Sequence, residues 1–268
     1  MRTLLKVGSS LLLLAFVLIG LSYAMLRANG VAAASEGRQV TSETREVPAG
    51  VNAVELDGPI DLTLRYGATA SLKVRGESRL LDNVDVSHDG DVLHIGIRGM
   101  VLRHRRPLEV ELVLPRLERV TVDGSGASTV NGFSGERIEV HMEGSGSLRF
   151  NGRFREVDAA LSGNGELDLN AGAGIERFEA VLTGSGHLTV VGSTRELQAN
   201  ASGSGELDAR HLRAEIVHVS QTGSGQSTVH ARQKVTAAIS GSGDIEVVGN
   251  PAERSVSRTG SGAVTFSE

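Results

Sequence analysis

One motif recurs through the second half of this chain at a nearly constant spacing. Gly-x-Gly triplets begin at Gly124, Gly144, Gly163, Gly184, Gly203, Gly223, Gly241 and Gly260, at intervals of 20, 19, 21, 19, 20, 18 and 19 residues. The middle residue is Ser in seven triplets and Asn164 in the remaining one. Sixteen of the 34 glycines sit in these triplets, so the glycine excess marks an ordered repeat and not a flexible tract.

What flanks each triplet alternates with period two, the strand signature. Six residues before the first glycine stand Ile138, Val157, Phe178, Leu197, Val217 and Val235; four before, Val140, Ala159, Ala180, Ala199, Val219 and Ala237; two before, Val122, Met142, Leu161, Leu182, Ala201 and Ile239. After the second glycine, the second position holds Leu148, Leu167, Leu188, Leu207, Ile245 and Val264, and the fourth holds Phe150, Leu169, Val190, Val229, Val247 and Phe266. Polar residues fill the positions between. A unit is therefore strand, bend, strand and a short connection.

Units of about 20 residues cannot bury an apolar face alone, so they must stack. The sequence predicts an all-β, single-domain parallel β-helix of about eight Gly-Ser-Gly coils, roughly 40 Å long at ~4.8 Å per coil. Glycine is required because bends repeating at that spacing leave no room for side chains between them. The serine between can face water or bond along the stack. Residues 40–118 carry alternating strands without the triplet and are expected to supply opening coils and an N-terminal cap; residues 119–268 carry the repeats. Four positions break the pattern: Ser128 and Ser227 after the bend, Gln221 and Arg258 before it. A solvated end, a bulge or a satisfied polar core row would each explain them, and Ser128 and Arg258 fall in the first and last coils, where caps belong.

The first 34 residues differ. Arg2 and Lys6 precede an apolar run from Val7, and Val31-Ala32-Ala33-Ala34-Ser35 follows. That is the pattern of a secretory signal peptide cut after Ala34. Residues 7–26 are also long enough to span a bilayer, so an uncleaved membrane anchor is the second reading. Both readings export residues 35–268, to the periplasm, outer envelope or cell surface. The chain has no Cys, which excludes disulfides, thiolate metal sites and a lipid-modified cysteine. With a net charge of −5 and eight aromatics in all, no nucleic-acid partner is expected.

The exported lead-in ending in Leu114-Pro115-Arg116-Leu117-Glu118-Arg119-Val120, followed by eight Gly-x-Gly units, resembles the putative autotransporter adhesin head GIN domain family, over about residues 40–265. The resemblance implies a β-helix similar to pectin-lyase-like folds without their catalytic residues, and a role in cell-surface adhesion. It brings no catalytic motif.

No residue is assigned as catalytic, cofactor-binding or metal-ligating, and no cofactor is expected. The histidines (His88, His94, His104, His141, His187, His211, His218, His230) lack metal-ligand spacing, His211 and His218 coming nearest, whereas zinc needs three or four converging ligands. Gly163-Asn-Gly-Glu-Leu-Asp168 and Gly203-Ser-Gly-Glu-Leu-Asp208 resemble a calcium β-roll only faintly, because the period is about 20 and not nine. A phosphate-cradling role fails because a strand, not a helix, follows each Gly-x-Gly. Three units carry paired carboxylates after the bend: Glu166 and Asp168, Glu206 and Asp208, Asp244 and Glu246. With one unit per coil, the preferred reading, neutral rungs separate them; with two, they would stack and demand cations. Arg98, Arg103, His104, Arg105 and Arg106 form the one basic cluster, read as a solvated loop, with binding to anionic polysaccharide or headgroups as the sharper option. Enzymatic β-helices need a carboxylate or basic site walled by a long loop. The connections here are too short. The expectation is a non-catalytic envelope or surface protein that binds an unknown ligand such as a surface glycan or envelope component. A structural or stress-related envelope role is the alternative, and a polysaccharide-degrading enzyme a more distant one. Membrane contact is expected only through residues 7–26 if uncleaved. The strand Ala263 to Phe266 leaves open an edge through which copies of the chain could pair.

Overall fold

The computed structural model describes residues 39–99 and 108–268. The leader at 1–34, with its apolar stretch 7–26, and Arg103, His104, Arg105 and Arg106 lie outside the described residues. Among the described residues no helix is long and apolar enough to cross a membrane.

The repeats form a parallel β-solenoid with one unit per coil. Gly124 pairs with Gly144, and the column continues through Gly163, Gly184, Gly203, Gly223, Gly241 and Gly260. After β8 (Arg119–Gly124), the long strands β9 (Ala127–Gly144) and β10 (Ser147–Gly163) each run from one bend to the next. They are followed by β11 (Glu166–Asn170), β12 (Ile175–Gly184), β13 (His187–Gly203), β14 (Glu206–Gly223), β15 (Gln226–Gly241), β16 (Asp244–Val248), β17 (Glu253–Gly260) and β18 (Ala263–Ser267). Register shifts at Asn151/Gly152, Thr189/Val191 and Ala209/Arg213 turn the long strands around the corner opposite the bend.

Below the repeats the chain departs from sequence order. β2 (Ala53–Asp57) and β3 (Ile60–Tyr66) form a coil directly beneath β8 and β9, with Asp57 opposite Asp123 and Leu64 opposite Val130. β6 (Val92–Ile97) and β7 (Leu108–Leu114) then pair in parallel on the other side of β2 and β3. That end is closed by antiparallel strands: β5 (Val84–Asp89) on β6, β4 (Ser71–Glu77) on β7, and β1 (Val40–Arg45) on β4. A single turn of helix, α1 (Ser78–Leu81), links β4 to β5 and buries Leu81.

The apolar rows of the repeat are the core. Ile138, Val157, Phe178, Leu197, Val217 and Val235 are fully buried and stacked, and Ala159, Ala180, Ala199 and Ala237 line the thin wall. Each larger side chain taken from water contributes about 1.5–3 kcal/mol.

Three of the four polar positions lie inside this core. Ser128 sits between Leu62 and Leu148 and is buried, because the β2–β3 coil lies below it; it is not a solvated end. Its Oγ has no hydrogen-bond partner among the described residues. Gln221 and Ser227 face each other within one bend, and Ser227 Oγ donates to Gln221 Oε1 at 2.5 Å in full burial. These two make a satisfied polar pair in an apolar column. Arg258 alone lies at an end.

Gly203 has φ +122, and a Cβ there would stand 2.2 Å from the Gly184 carbonyl oxygen, whereas Gly174 has φ +83 with open space around it. Gly203→Ala is expected to cost on the order of 3–5 kcal/mol and Gly174→Ala only about 1–2 kcal/mol, read from denaturant unfolding. Gln221→Leu or Ser227→Ala alone leaves a buried polar group unpaired and should cost about 1–3 kcal/mol each. The double variant should cost less than their sum, and strict additivity in the cycle would refute the pairing.

Candidate functional site

The bends define one corner of the rod, and their backbone explains why they are so regular. In six of the bends the N–H groups of the middle residue and the second glycine both donate to the first glycine's carbonyl oxygen one coil below, and in a seventh Asn164 alone donates to Gly144. Ser185 and Gly186 thus donate to Gly163, and Ser224 and Gly225 to Gly203, all at 3.0 Å. The next residue donates to the second glycine below, as His187 does to Gly165 at 3.0 Å. This fixes the middle side chains in an exposed column, where Ser261 Oγ donates to Ser242 Oγ at 3.3 Å. An open groove of about 580 Å³ follows the column past Ser125, Ser145, Asn164, Glu166 and His187.

On the strand side of the bend, alternation turns every second residue outward. Immediately before the triplets stand Ser162, Thr183, Ser202, Thr222, Ser240 and Thr259, exposed and paired in one continuous register. Two residues earlier stand Ala160, Val181, Asn200, Ser220, Ala238 and Ser257, in the same register. Together with the bend column they form a face of small side chains, mostly hydroxyl and amide with Ala160, Val181 and Ala238 set among them, free of charge and repeating every ~4.8 Å. Reading the repeat for its apolar rows passes over these hydroxyls, although a Ser or Thr precedes the triplet in six successive units.

Toward the other end the same face is charged. Asp57, Asp123 and Glu143 occupy the equivalent position on three successive rungs. Nearby, Arg119 donates from Nε to Glu139 at 2.9 Å, and Arg137 bridges Glu139 at 3.2 Å and Asp158 at 2.7 Å. The hydrogen bond from Arg119 is the main cause holding the Glu139 carboxyl below the ordinary carboxylate range, against its partial burial.

The carboxylate ladder after the bend has neutral rungs between its members, as one unit per coil requires. Glu166 pairs across to His187 and His187 to Glu206; Asp168 to Thr189 and Thr189 to Asp208. Three of its six carboxylates have a basic side chain beside them. His187 Nε2 lies 3.0 Å from Glu206, Arg149 lies 3.3 Å from Asp168, and Arg210 Nε donates to Asp208 at 2.9 Å. Asp168 and Asp208 are thus engaged by arginines. Of the other histidines, His94 pairs with Glu55 at 2.9 Å, while His211 and His218 stand opposite Val191 and Gln198 on different sides of the coil. No group of three or more His, Asp or Glu converges to hold a metal ion among the described residues. Arg98 of the basic cluster pairs with Asp85 at 2.9 Å.

The fold and its face define a solenoid repeat protein that displays a rigid outward lattice. Residues 51–251 match the family described as "Putative auto-transporter adhesin, head GIN domain", and the chain belongs to that family. Solved structures share the fold. A putative adhesin from Parabacteroides merdae is 21% identical with a TM-score of 0.78, over 85% of this chain and 96% of that one. A putative lipid binding protein from Parabacteroides distasonis is 22% identical with a TM-score of 0.76, over 85% and 96%. A putative adhesin from Bacteroides fragilis is 19% identical with a TM-score of 0.61, over 85% and 97%. No curated protein matches the sequence.

The Arg119–Glu139 pair has a pH signature. Because the folded carboxyl titrates below its unfolded value, its contribution is present above the ordinary carboxylate range and is lost as pH falls through the lowered value. Melting temperature should drop on acidification through that range, and Glu139→Gln should flatten this part of the profile.

Proposed function

We propose that this chain is an exported, non-catalytic binding module of the cell surface, and that its hydroxyl face engages a neutral surface glycan. The observation that carries the reading is the uncharged lattice of Ser162, Thr183, Ser202, Thr222, Ser240 and Thr259 beside the bend serines. Hydroxyls and amides both donate and accept, so they suit a polymer whose surface is itself hydroxyl. Exposed charge would draw in ions and charged polymers, and this half of the face has none. The family's description as adhesins agrees with a surface role.

Eight aromatics in 268 residues leave little stacking area, so each contact is shallow and weak. Strength must come from many rungs engaging one polymer together. The proposed export segment at 1–34 would deliver the module. Short corners among the described residues, without a long loop there to wall a cleft, favour holding a polymer over cutting it.

Affinity electrophoresis of the full chain in gels containing neutral polysaccharides (mannan, dextran, laminarin) and acidic ones (pectin, alginate) tests the reading. Retardation by a neutral polymer is expected, unchanged by added salt, because no ion pairs are involved. Ser202→Lys with Thr222→Lys should weaken it at least tenfold, about 1.4 kcal/mol. Retardation by acidic polymers alone, or release of soluble sugars from any of them, would sink the reading.

A further inference from the structure

The C-terminal end of the rod is built differently from every coil below it. β17 is exposed along its whole length, and among the described residues it pairs only with β15 and β18 only with β16. Its inward row reads Arg254, Val256, Arg258, set in register on Val235, Ala237 and Ile239. Arginine thus replaces the aliphatic residue at two core positions, in a coil that has none above it among the described residues.

Both arginines are tied down over that end. Arg254 Nε donates to the Pro251 carbonyl at 3.1 Å and its Nη2 to Asn250 Oδ1 at 2.6 Å, and its guanidinium lies 4.4 Å above the Phe266 ring. Arg258 Nη1 reaches to 3.5 Å from the Gly262 carbonyl oxygen. In six repeats below, from Gly126 to Gly225, the second glycine's carbonyl is the acceptor for the next coil's amide, as Gly225 is for Asp244 at 3.1 Å. Arg258 therefore stands where another coil's donor would be.

We propose that Arg254 and Arg258 form an edge guard that keeps a second copy of the chain off the open end. Among the described residues the opposite end is closed by antiparallel strands, so the parallel ladder is not continued there, and the contact at issue for the β17 edge is tail-to-tail pairing. The segment Arg254-Ser-Val256-Ser-Arg258 is symmetric about Val256. Antiparallel pairing of two copies centred on Val256 sets Arg254 of each against Arg258 of the other, and like charges directly opposed destabilise a pair. Inward-pointing charge is a known means of blunting a sheet edge. The inference stands apart from the ligand of the hydroxyl face.

The test is mass in solution, by light scattering on the full chain at tens of micromolar, with a thermal melt to establish folding. Wild type and Arg254→Lys/Arg258→Lys should be monomeric. Arg254→Val/Arg258→Ile should at least double in mass, and adding Val256→Lys to it should restore the monomer, which places the contact on β17. Arg254→Gln/Arg258→Gln removes charge but keeps hydrogen bonding; it should also associate and decides the matter if the aliphatic variant fails to fold. The proposal is overturned if the charge-free variants melt cooperatively as monomers, or if wild type is already a dimer that Val256→Lys dissociates.

Discussion

In six of the repeats the carbonyl oxygen of the first glycine accepts two amides from the bend above it, and nearly everything else in this molecule is arranged around that contact. Two N–H groups converging on one oxygen draw successive bends to sheet spacing at a point where the chain also changes direction. A β-carbon on the upper glycine would stand 2.6 Å or less from that same oxygen along the column from Gly144 upward. The site that makes the contact strong is thus the site that excludes a side chain. The first glycines above Gly124 also take positive φ, from +96 to +126, so space and backbone angle select glycine together. The second glycines are selected by space alone.

This explains what was legible in the sequence. A backbone contact that admits only one residue type leaves a mark at fixed spacing, and the period-two rows beside it give direction and register without any structure. One unit per coil follows from the same logic, because it separates Glu166, Glu206 and Asp244 by neutral rungs. The opening coils were not legible in that detail. β2 and β3 precede β6 and β7 in sequence yet lie between them and the repeats, an order that local pattern does not encode, since each strand's alternation is satisfied by any apolar neighbour. The polar core residues were legible as anomalies but not as a pair. Ser227 and Gln221 meet only because the bend folds the positions before and after it onto each other.

The candidate face was the least legible part. Ser and Thr are ordinary on exposed strand positions, so a hydroxyl before each triplet carries no signal in any single unit. It becomes a surface only once register is known, when Ser162 to Thr259 align with no charge among them. The contrast with Asp57, Asp123 and Glu143 on the lower rungs of the same column shows that the strand position tolerates charge. Absence of charge from the upper rungs is therefore not forced by the fold.

A solenoid has a problem that a closed barrel lacks: the interaction that stacks each coil is offered again, unpaired, by the last one. The glycine column makes that offer strong, since every bend presents carbonyls already aimed at the next coil. The two ends answer it differently. The N-terminal end reverses strand direction, so that β4 and β5 consume the edges of β7 and β6 and no parallel edge remains there among the described residues. The C-terminal end keeps the parallel edge and changes the inward side chains, trading Val235 and Ile239 for Arg254 and Arg258 in the next coil. With Arg254 held by Asn250, Pro251 and Phe266 and Arg258 by the Gly262 carbonyl, the two side chains cover apolar surface with their stems while keeping charge at the opening. A rod finished in this way keeps its lattice face on the side and its adhesive geometry off its ends, which is what a repeat scaffold needs if rungs are to meet a ligand and not one another.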